Sequence, residues 1–217
     1  MRRILTKKFF NRPTLAVARD LLGTFLVRRY PSKKLLRQRS RQVGTSRGKS
    51  LNHVRDRETA VMITEVEAYD GPGDMASHAH RGKTKRNEVM FGEAGRWYVY
   101  FVYGMHWMLN IVTGPTGYPA AILIRGAVTT RRGKKVLING PARLTKFLAI
   151  DKEFNGLAAI SKTGLWLEKR GNPVHSSCII RKKRIGVEYA GAWAEKRYNF
   201  TINLNNDRFK KGPLFIA

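Results

Sequence analysis

The apolar residues of this chain fall into short runs separated by glycine, proline and charged residues, a pattern typical of strands joined by turns. Two further segments carry apolar residues at helical spacing and begin beside a proline. The pattern predicts strands at 24–29, 60–69, 96–103, 106–113, 120–125 and 164–168, and helices at 13–22 and 140–150. Residues 129–139 are predicted to be a basic loop.

The predicted strand at 60–69 carries two carboxylates. If its side chains alternate regularly, Ile63, Glu65, Glu67 and Tyr69 share one face. Glu67 and Tyr69 then lie at the end of the strand, beside a Gly/Pro-rich loop. A carboxylate in this position fits a catalytic group and also a solvent-facing acid at a sheet edge, and the strand alone favours the second interpretation.

The next two predicted strands form a β-hairpin that turns at Gly104 and Met105. Alternation places Tyr98 and Tyr100 on one face and the other aromatic residues of the first strand on the opposite face. Most of these rings are expected to belong to the core. Tyr103 is adjacent to the turn, so we expect it to be exposed unless it meets a partner.

Basic residues greatly outnumber acidic ones, with 42 Lys and Arg against 15 Asp and Glu, a net charge of +27 and a pI near 10.9. This excess indicates a polyanionic partner, either DNA, RNA or an acidic membrane surface. No apolar run approaches the length of a membrane span, and the first residues lack an apolar signal core. Nucleic acid is therefore favoured, and we expect an intracellular protein, in the cytoplasm or nucleoid of a bacterium or the nucleus of a eukaryote.

Residues 31–57 differ in character from the rest of the chain. They contain nine Lys or Arg, one acid and almost no large apolar side chains. Such a segment cannot bury enough apolar surface to order itself, so we predict an exposed, mobile insertion. Extra phosphate contacts, a nuclear address and a plain solvated loop all remain open as interpretations. Apart from this insertion, a length of 217 residues suggests one domain.

Two segments have the composition of phosphate-binding elements. Residues 81–87 include four basic side chains, among them Arg86, but lack the glycine spacing of a nucleotide-binding P-loop, so backbone-phosphate contact is the better interpretation. The helix at 140–150 has Pro141 at its first position. Its unpaired N–H groups, flanked by Arg143 and Lys146, suit a phosphate.

The order of these motifs resembles the alkyladenine (3-methyladenine) DNA glycosylase family over most of the chain outside 31–57. The motifs are Thr64-Glu-Val-Glu-Ala-Tyr69, Gly71-Pro72, Ala76-Ser-His78, Arg86-Asn87, Met90-Phe91, Tyr98-Val-Tyr-Phe-Val-Tyr-Gly-Met105 with Asn110, Arg125, residues 140–150 and Arg184-Ile-Gly-Val187. The resemblance implies a mixed α/β (α+β) single domain with a curved antiparallel sheet, flanking helices and a protruding β-hairpin. It also implies a DNA repair hydrolase that excises alkylated purines, often also hypoxanthine, by cleaving the N-glycosidic bond.

The resemblance assigns roles to individual residues. Glu67 corresponds to the general base and Arg125 to an arginine that positions it. A flipped base would be bound by Tyr69, His78, Tyr100 and Asn110. Tyr103 corresponds to the residue that inserts into the duplex. The remaining DNA contacts are expected from Arg86, Met105, Arg143, Lys146 and Arg184. We expect no metal or other cofactor, a monomer, and double-stranded DNA with a damaged purine as partner.

Three other activities compete with this interpretation. A non-catalytic protein could use the tyrosines to stack single-stranded bases, with Glu67 incidental. A zinc nucleobase deaminase needs a pair of cysteine ligands, which the single Cys178 does not provide; one cysteine also excludes an internal disulfide. A glycosylase that also cuts the strand through a lysine Schiff base stays open, because lysines are abundant.

Overall fold

The computed structural model describes residues 2–31, 57–131 and 133–206, so the predicted insertion lies almost entirely outside the described residues. The strands and helices, in chain order, are β1 (Arg2–Ile4), α1 (Lys7–Phe10), α2 (Thr14–Leu21), β2 (Phe25–Tyr30), β3 (Arg57–Asp70), β4 (Trp97–Val102), β5 (His106–Val112), β6 (Ala120–Arg131), β7 (Lys134–Asn139), α3 (Pro141–Leu148), β8 (Leu165–Arg170), β9 (Ile179–Lys182) and β10 (Asn199–Ile202). Among these residues, no helix has the length and apolar character that crossing a membrane requires.

Within the described ranges, ten strands form one open sheet in which every pairing is antiparallel. Its main order is β1-β8-β2-β3-β6-β5-β4, while β7 pairs with β6, and β10 pairs with both β3 and β9. The long strand β3 therefore has three neighbours, β2, β6 and β10. This mixed α/β single domain confirms the predicted fold class.

The two longer helices cover the sheet through apolar stripes. Val17 and Leu21 of α2 are fully buried, as are Leu144 and Leu148 of α3. Each pair is four residues apart and so lies on one helix face. All four side chains pack in the same core as Trp97 of β4. This core therefore fixes the β4–β5 hairpin against the two helices.

Residues 129–131 and 134–139 of the basic segment form a strand pair, and the prediction of a loop there is wrong. It comprises the end of β6 and the whole of β7, with Ala127 opposite Ile138. Only Ile138 is buried in β7, whereas Lys134 and Lys135 are exposed. One buried apolar position gives too weak an alternation for the strand to be recognised from sequence.

The regular alternation predicted for the strand at 60–69 fails at Ile63. The pairing of β3 with β6 is irregular between Ile63 and Val66. Ile63 packs in the main core with Val66 and Ala68, although Ile63 and Val66 are three residues apart. An irregularity of this kind changes which residues share a face, so Ile63 does not accompany Glu65 and Glu67.

Candidate active site

A pocket of about 400 Å³ lies between the β4–β5 hairpin, the loop after β3 and the loop after β9. Its volume is within the range of roughly 300–1,000 Å³ typical of ligand sites. Six of the predicted site residues line it: Tyr69, His78, Tyr100, Tyr103, Asn110 and Arg125. The fold thus brings together side chains that are up to 56 positions apart in the sequence.

Glu67 lies directly behind the pocket wall, and its side chain is fully buried. Its Oε2 accepts hydrogen bonds from the Tyr69 hydroxyl at 3.1 Å and from Nη1 of Arg125 at 3.1 Å. Its Oε1 accepts from the backbone N–H of Ile185 at 2.8 Å and from the Asn199 amide at 3.1 Å. A buried carboxylate is costly unless it is paired and hydrogen-bonded, and these four donors meet that requirement.

Glu67 is connected to the pocket by its own partners. Three of its four donors, Tyr69, Arg125 and Ile185, belong to residues that line the pocket. Both donors to Oε2 are side chains of the pocket wall. Oε2 is therefore held by two side chains of the pocket wall, whereas Oε1 is held by one backbone N–H of the wall and by Asn199, which does not line the pocket.

Two of these donors are absent from the residues predicted from sequence. Ile185 contributes a backbone N–H, for which side-chain identity carries no signal. Asn199 is 132 residues from Glu67 in the chain, and only the register of β10 on β3 places the two opposite each other. The motif around Arg184 indicates the first of these segments, but nothing local to Asn199 indicates the second.

His78 contacts two tyrosines of the hairpin. Its Nδ1 lies 3.1 Å from the Tyr98 hydroxyl, and its ring meets that of Tyr100 edge-on with 4.5 Å between centroids. Burial lowers the pKa of His78 below its ordinary value of 6.5, and the charges of Arg86 and His80 lower it further. The imidazole is therefore neutral near pH 7 and has one nitrogen that donates and one that accepts.

The titration of His78 tests this part of the site. We expect its NMR midpoint to lie below the ordinary value of 6.5 and to rise in Arg86→Ala, because that change removes a nearby positive charge. Since the folded state takes up this proton less readily than the unfolded chain, the contribution of His78 to stability is lost as pH falls below about 6.5. His78→Gln assigns the resonance, and a midpoint above 6.5 contradicts the expectation.

Asn110 and Tyr98 face each other on the hairpin. They are opposite in the β4–β5 register, and the Asn110 amide donates to the Tyr98 carbonyl at 3.1 Å. Asn110 is buried, and it is one of the residues that line the pocket. Tyr98 and Tyr100 share the pocket face, as the alternation predicts, while Trp97 and Val99 pack in the main core.

The prediction that Arg184 contacts DNA is contradicted by its position. Its guanidinium is fully buried and makes two hydrogen bonds to the Asp74 carboxylate, one of them 2.8 Å long. It also donates to the Ala68 and Trp193 carbonyls at 3.0 and 3.1 Å. Such a side chain has no surface to offer to a phosphate, so the ion pair is structural.

The Arg184–Asp74 pair supports Tyr69. The Arg184 guanidinium lies 4.9 Å from the centroid of the Tyr69 ring, a cation–π contact. Burial, followed by the nearby Glu67 charge, raises the pKa of Tyr69 well above its ordinary value of 10.0. The Tyr69 hydroxyl therefore stays protonated and can donate to Glu67.

Tyr103 protrudes at the tip of the β4–β5 hairpin. It is 87% exposed, and the adjacent Met105 is 68% exposed. Tyr103 and Gly104 both have positive φ, 51° and 64°. Glycine adopts this backbone readily, whereas for a bulky L-residue it costs about 1–2 kcal/mol. An exposed and strained tyrosine points to a requirement for its ring outside the folded protein itself.

The other predicted DNA contacts are solvent-accessible. Arg86, Arg143 and Lys146 are all exposed. The Arg86 guanidinium lies 5.7 Å from the centroid of the Tyr100 ring, which places it beside the pocket. Arg143 and Lys146 lie on α3, whose first residue, Pro141, lines the same pocket. Exposed cations thus lie on elements that border the pocket.

The chain is similar to known proteins over most of its length. The family model for "Methylpurine-DNA glycosylase (MPG)" matches residues 47–206. A Carboxydothermus hydrogenoformans protein is 39% identical over 96% of this chain and 100% of its own length. A Streptomyces avermitilis protein is 40% identical (86% and 83% covered), and a Myxococcus xanthus protein 38% identical (96% and 94%). All three carry names that describe them as proposed 3-methyladenine DNA glycosylases.

These matches identify the class of enzyme as a DNA glycosylase, a hydrolase that acts on damaged DNA in DNA repair. The chain belongs to the methylpurine-DNA glycosylase family. Family membership confirms the resemblance found in the motifs and decides against a nucleic-acid-binding protein without catalysis.

Proposed function

We propose that this glycosylase rotates 3-methyladenine and related alkylated or deaminated purines out of duplex DNA into the pocket. A water molecule activated by Glu67 then hydrolyses the N-glycosidic bond and leaves an abasic site. The observation that carries the proposal is the Glu67 carboxylate, which is held by Arg125 and Tyr69 directly behind an aromatic pocket.

The pocket walls suit a planar, electron-poor base. Tyr69 and Tyr100 supply aromatic faces, and stacking on such rings is worth about 1–3 kcal/mol per base. Burial raises the pKa of Tyr100 to about 12, so its hydroxyl stays protonated. Tyr100 would therefore bind a purine by stacking and not as a phenolate anion. Many alkylated purines are cationic, and electron-rich rings attract them further. Asn110 and neutral His78 offer hydrogen bonds to the base edge.

Cleavage of the bond develops positive charge on the sugar, as in glycoside hydrolysis. The buried Glu67 carboxylate would stabilise that charge and accept the proton of the attacking water. Water would bind beside Oε2, since both donors to this oxygen belong to the pocket wall. Arg125 would orient the carboxylate and balance its charge.

Tyr103, which lines the pocket and is largely exposed, would fill the space left in the duplex. Extruding a base costs a few kcal/mol, and an inserted ring offsets part of that cost. Met105 is exposed beside it and would extend the apolar contact. Arg86, Arg143 and Lys146 would bind phosphates on either side of the lesion.

Tyr103→Gly separates DNA binding from folding. Glycine removes the cost of positive φ but increases the entropy of the unfolded chain, so the two effects nearly cancel. We expect a free energy of unfolding within about 1 kcal/mol of wild type. Affinity for a lesion duplex should fall several-fold. Thermal melts and fluorescence anisotropy measure the two quantities, and unchanged affinity would count against insertion of Tyr103.

Base release tests the proposed reaction directly. Duplexes that carry 3-methyladenine, 7-methylguanine, ethenoadenine or hypoxanthine are incubated with the protein, and the free base is measured by chromatography. We expect free base and an abasic strand that breaks only after alkali treatment. Borohydride trapping of a protein–DNA adduct would instead indicate a lysine Schiff base and a strand-cutting activity.

A further inference from the structure

We infer that Asn199 is a positioning residue for Glu67, which holds the carboxylate in its reactive orientation by bridging it to the second carboxylate, Glu65. This inference rests on the proposed role of Glu67. Asn199 does not line the pocket and is buried, with 1% of its surface exposed. Any effect it has on the reaction must therefore act through the groups it contacts.

The amide nitrogen of Asn199 contacts both carboxylates. It lies 2.8 Å from Oε1 of Glu65 and 3.1 Å from Oε1 of Glu67. A side-chain amide has two N–H groups, so one is available for each carboxylate. Its oxygen accepts from the Thr201 hydroxyl at 2.8 Å, which orients the nitrogen towards the two acids.

The strand register makes this arrangement possible. In the antiparallel pairing of β10 with β3, Asn199 lies opposite Glu67 and Thr201 lies opposite Glu65. Both acids contact the Asn199 amide and lie near Arg125, so they leave β3 on the same side, where their charges repel each other. A donor opposite Glu67 is well placed to reach both.

Arginine alone does not supply enough hydrogen-bond donors and positive charge for the two carboxylates. On β6, Arg125 is the facing cation: its Nη1 lies 3.1 Å from Glu67, and its Nε lies 3.6 Å from Glu65 without forming a hydrogen bond in the described part of the chain. From the loop after β9 comes the neutral N–H of Ile185, and β3 itself adds Tyr69. One guanidinium therefore faces two carboxylates, and the neutral amide of Asn199 supplies the missing donors.

Loss of this bridge should slow catalysis more than it weakens DNA binding. Among the described residues, loss of Asn199 would leave Oε1 of Glu67 with the Ile185 N–H and Glu65 with the Arg125 guanidinium 3.6 Å away. The carboxylates can then move apart under their mutual repulsion. Misplacement of a reacting group by about 1 Å can cost on the order of 10²-fold in rate.

The test compares near-isosteric changes at this position. Asn199→Asp replaces the donor with a third carboxylate, and Asn199→Asp with Glu65→Gln returns the number of carboxylates to two. Thr201→Val removes only the group that orients the amide. Asn205→Ala changes an exposed asparagine in the loop after β10 and serves as the control. Each is assayed by single-turnover excision across pH 5–9 on the duplex released fastest by wild type, and by its Kd for that duplex.

We expect Asn199→Asp to lower the excision rate at neutral pH by about 10–100-fold with little change in Kd. The acidic limb of its pH–rate profile should move to higher pH, because an added negative charge disfavours a second ionised acid. Glu65→Gln should move the limb back, and Thr201→Val should lower the rate by a smaller factor. If Asn199 were needed only for packing, Asn199→Asp would not move the acidic limb to higher pH, and adding Glu65→Gln would not move it back.

Several outcomes would overturn the inference. One is an Asn199→Asp rate and pH profile like those of Asn205→Ala. Another is a loss of rate matched by a loss of affinity. If Asn199→Asp does not fold, a normal excision rate in Thr201→Val would also overturn the inference. Inactive wild-type protein on every duplex would instead remove the proposed function, and active wild type with active Glu67→Gln would remove only the role of Glu67.

Discussion

Glu67→Gln is expected to lower the rate of base excision by about 10²–10⁴-fold, the usual contribution of a general base. Glutamine has nearly the same shape but no charge, so it can neither deprotonate water nor stabilise positive charge on the sugar. The side chain is fully buried and does not line the pocket, so contacts with DNA should persist. Single-turnover release of the base measures the rate, and anisotropy with the same duplex measures binding.

Glu168→Gln is the matched control for this change. Glu168 is also buried on a strand and bonded to an arginine, Arg170, but it lies on β8, and Arg170 does not line the pocket as Arg125 does. A general effect of neutralising a buried carboxylate would appear in both variants. Near-normal turnover by Glu67→Gln, or equal losses in the two variants, would remove Glu67 from the proposed role.

Asp74→Asn should produce the largest loss of stability, about 3–5 kcal/mol, because it leaves the Arg184 charge buried without its partner. For a chain of this length, the expected fall in Tm is roughly 6–20 °C. Asp74 also accepts backbone N–H groups of Asp70 and Ala76, so the loop after β3 should loosen as well. Calorimetry and urea unfolding measure both quantities.

An exposed ion pair provides the comparison. Glu195 pairs with Lys183 at the surface, and Glu195→Ala should cost less than about 1 kcal/mol. Asp74→Asn combined with Arg184→Met removes both charges and should recover part of the lost stability. If Asp74→Asn costs no more than Glu195→Ala, the buried pair does not hold the pocket loops together.

Local patterns were sufficient where the structure obeys a simple period. The helices at 13–22 and 140–150 and the hairpin with Tyr98 and Tyr100 on its pocket face were all correctly predicted. In these segments, neighbouring residues along the chain decide the conformation, so the sequence contains the information locally.

Local patterns failed where distant segments decide the outcome. Residues 134–139 form a strand because β6 offers hydrogen bonds to their backbone, not because they are apolar. Arg184 is a basic residue in a basic segment, which is typical of a DNA contact. In the folded protein it pairs with Asp74, which lies 110 residues away in the sequence. A charged side chain gives no local sign of which acid it will pair with.

The amino-acid sequence by itself determined that this protein binds a polyanion, that it carries the motifs of a purine DNA glycosylase, and which strand, loop and hairpin contain the candidate catalytic residues. Only the tertiary structure decided how Glu67 is held, by Ile185, Asn199, Tyr69 and Arg125. Strand register and loop closure join residues more than a hundred positions apart, and no periodicity within a strand encodes which of them meet.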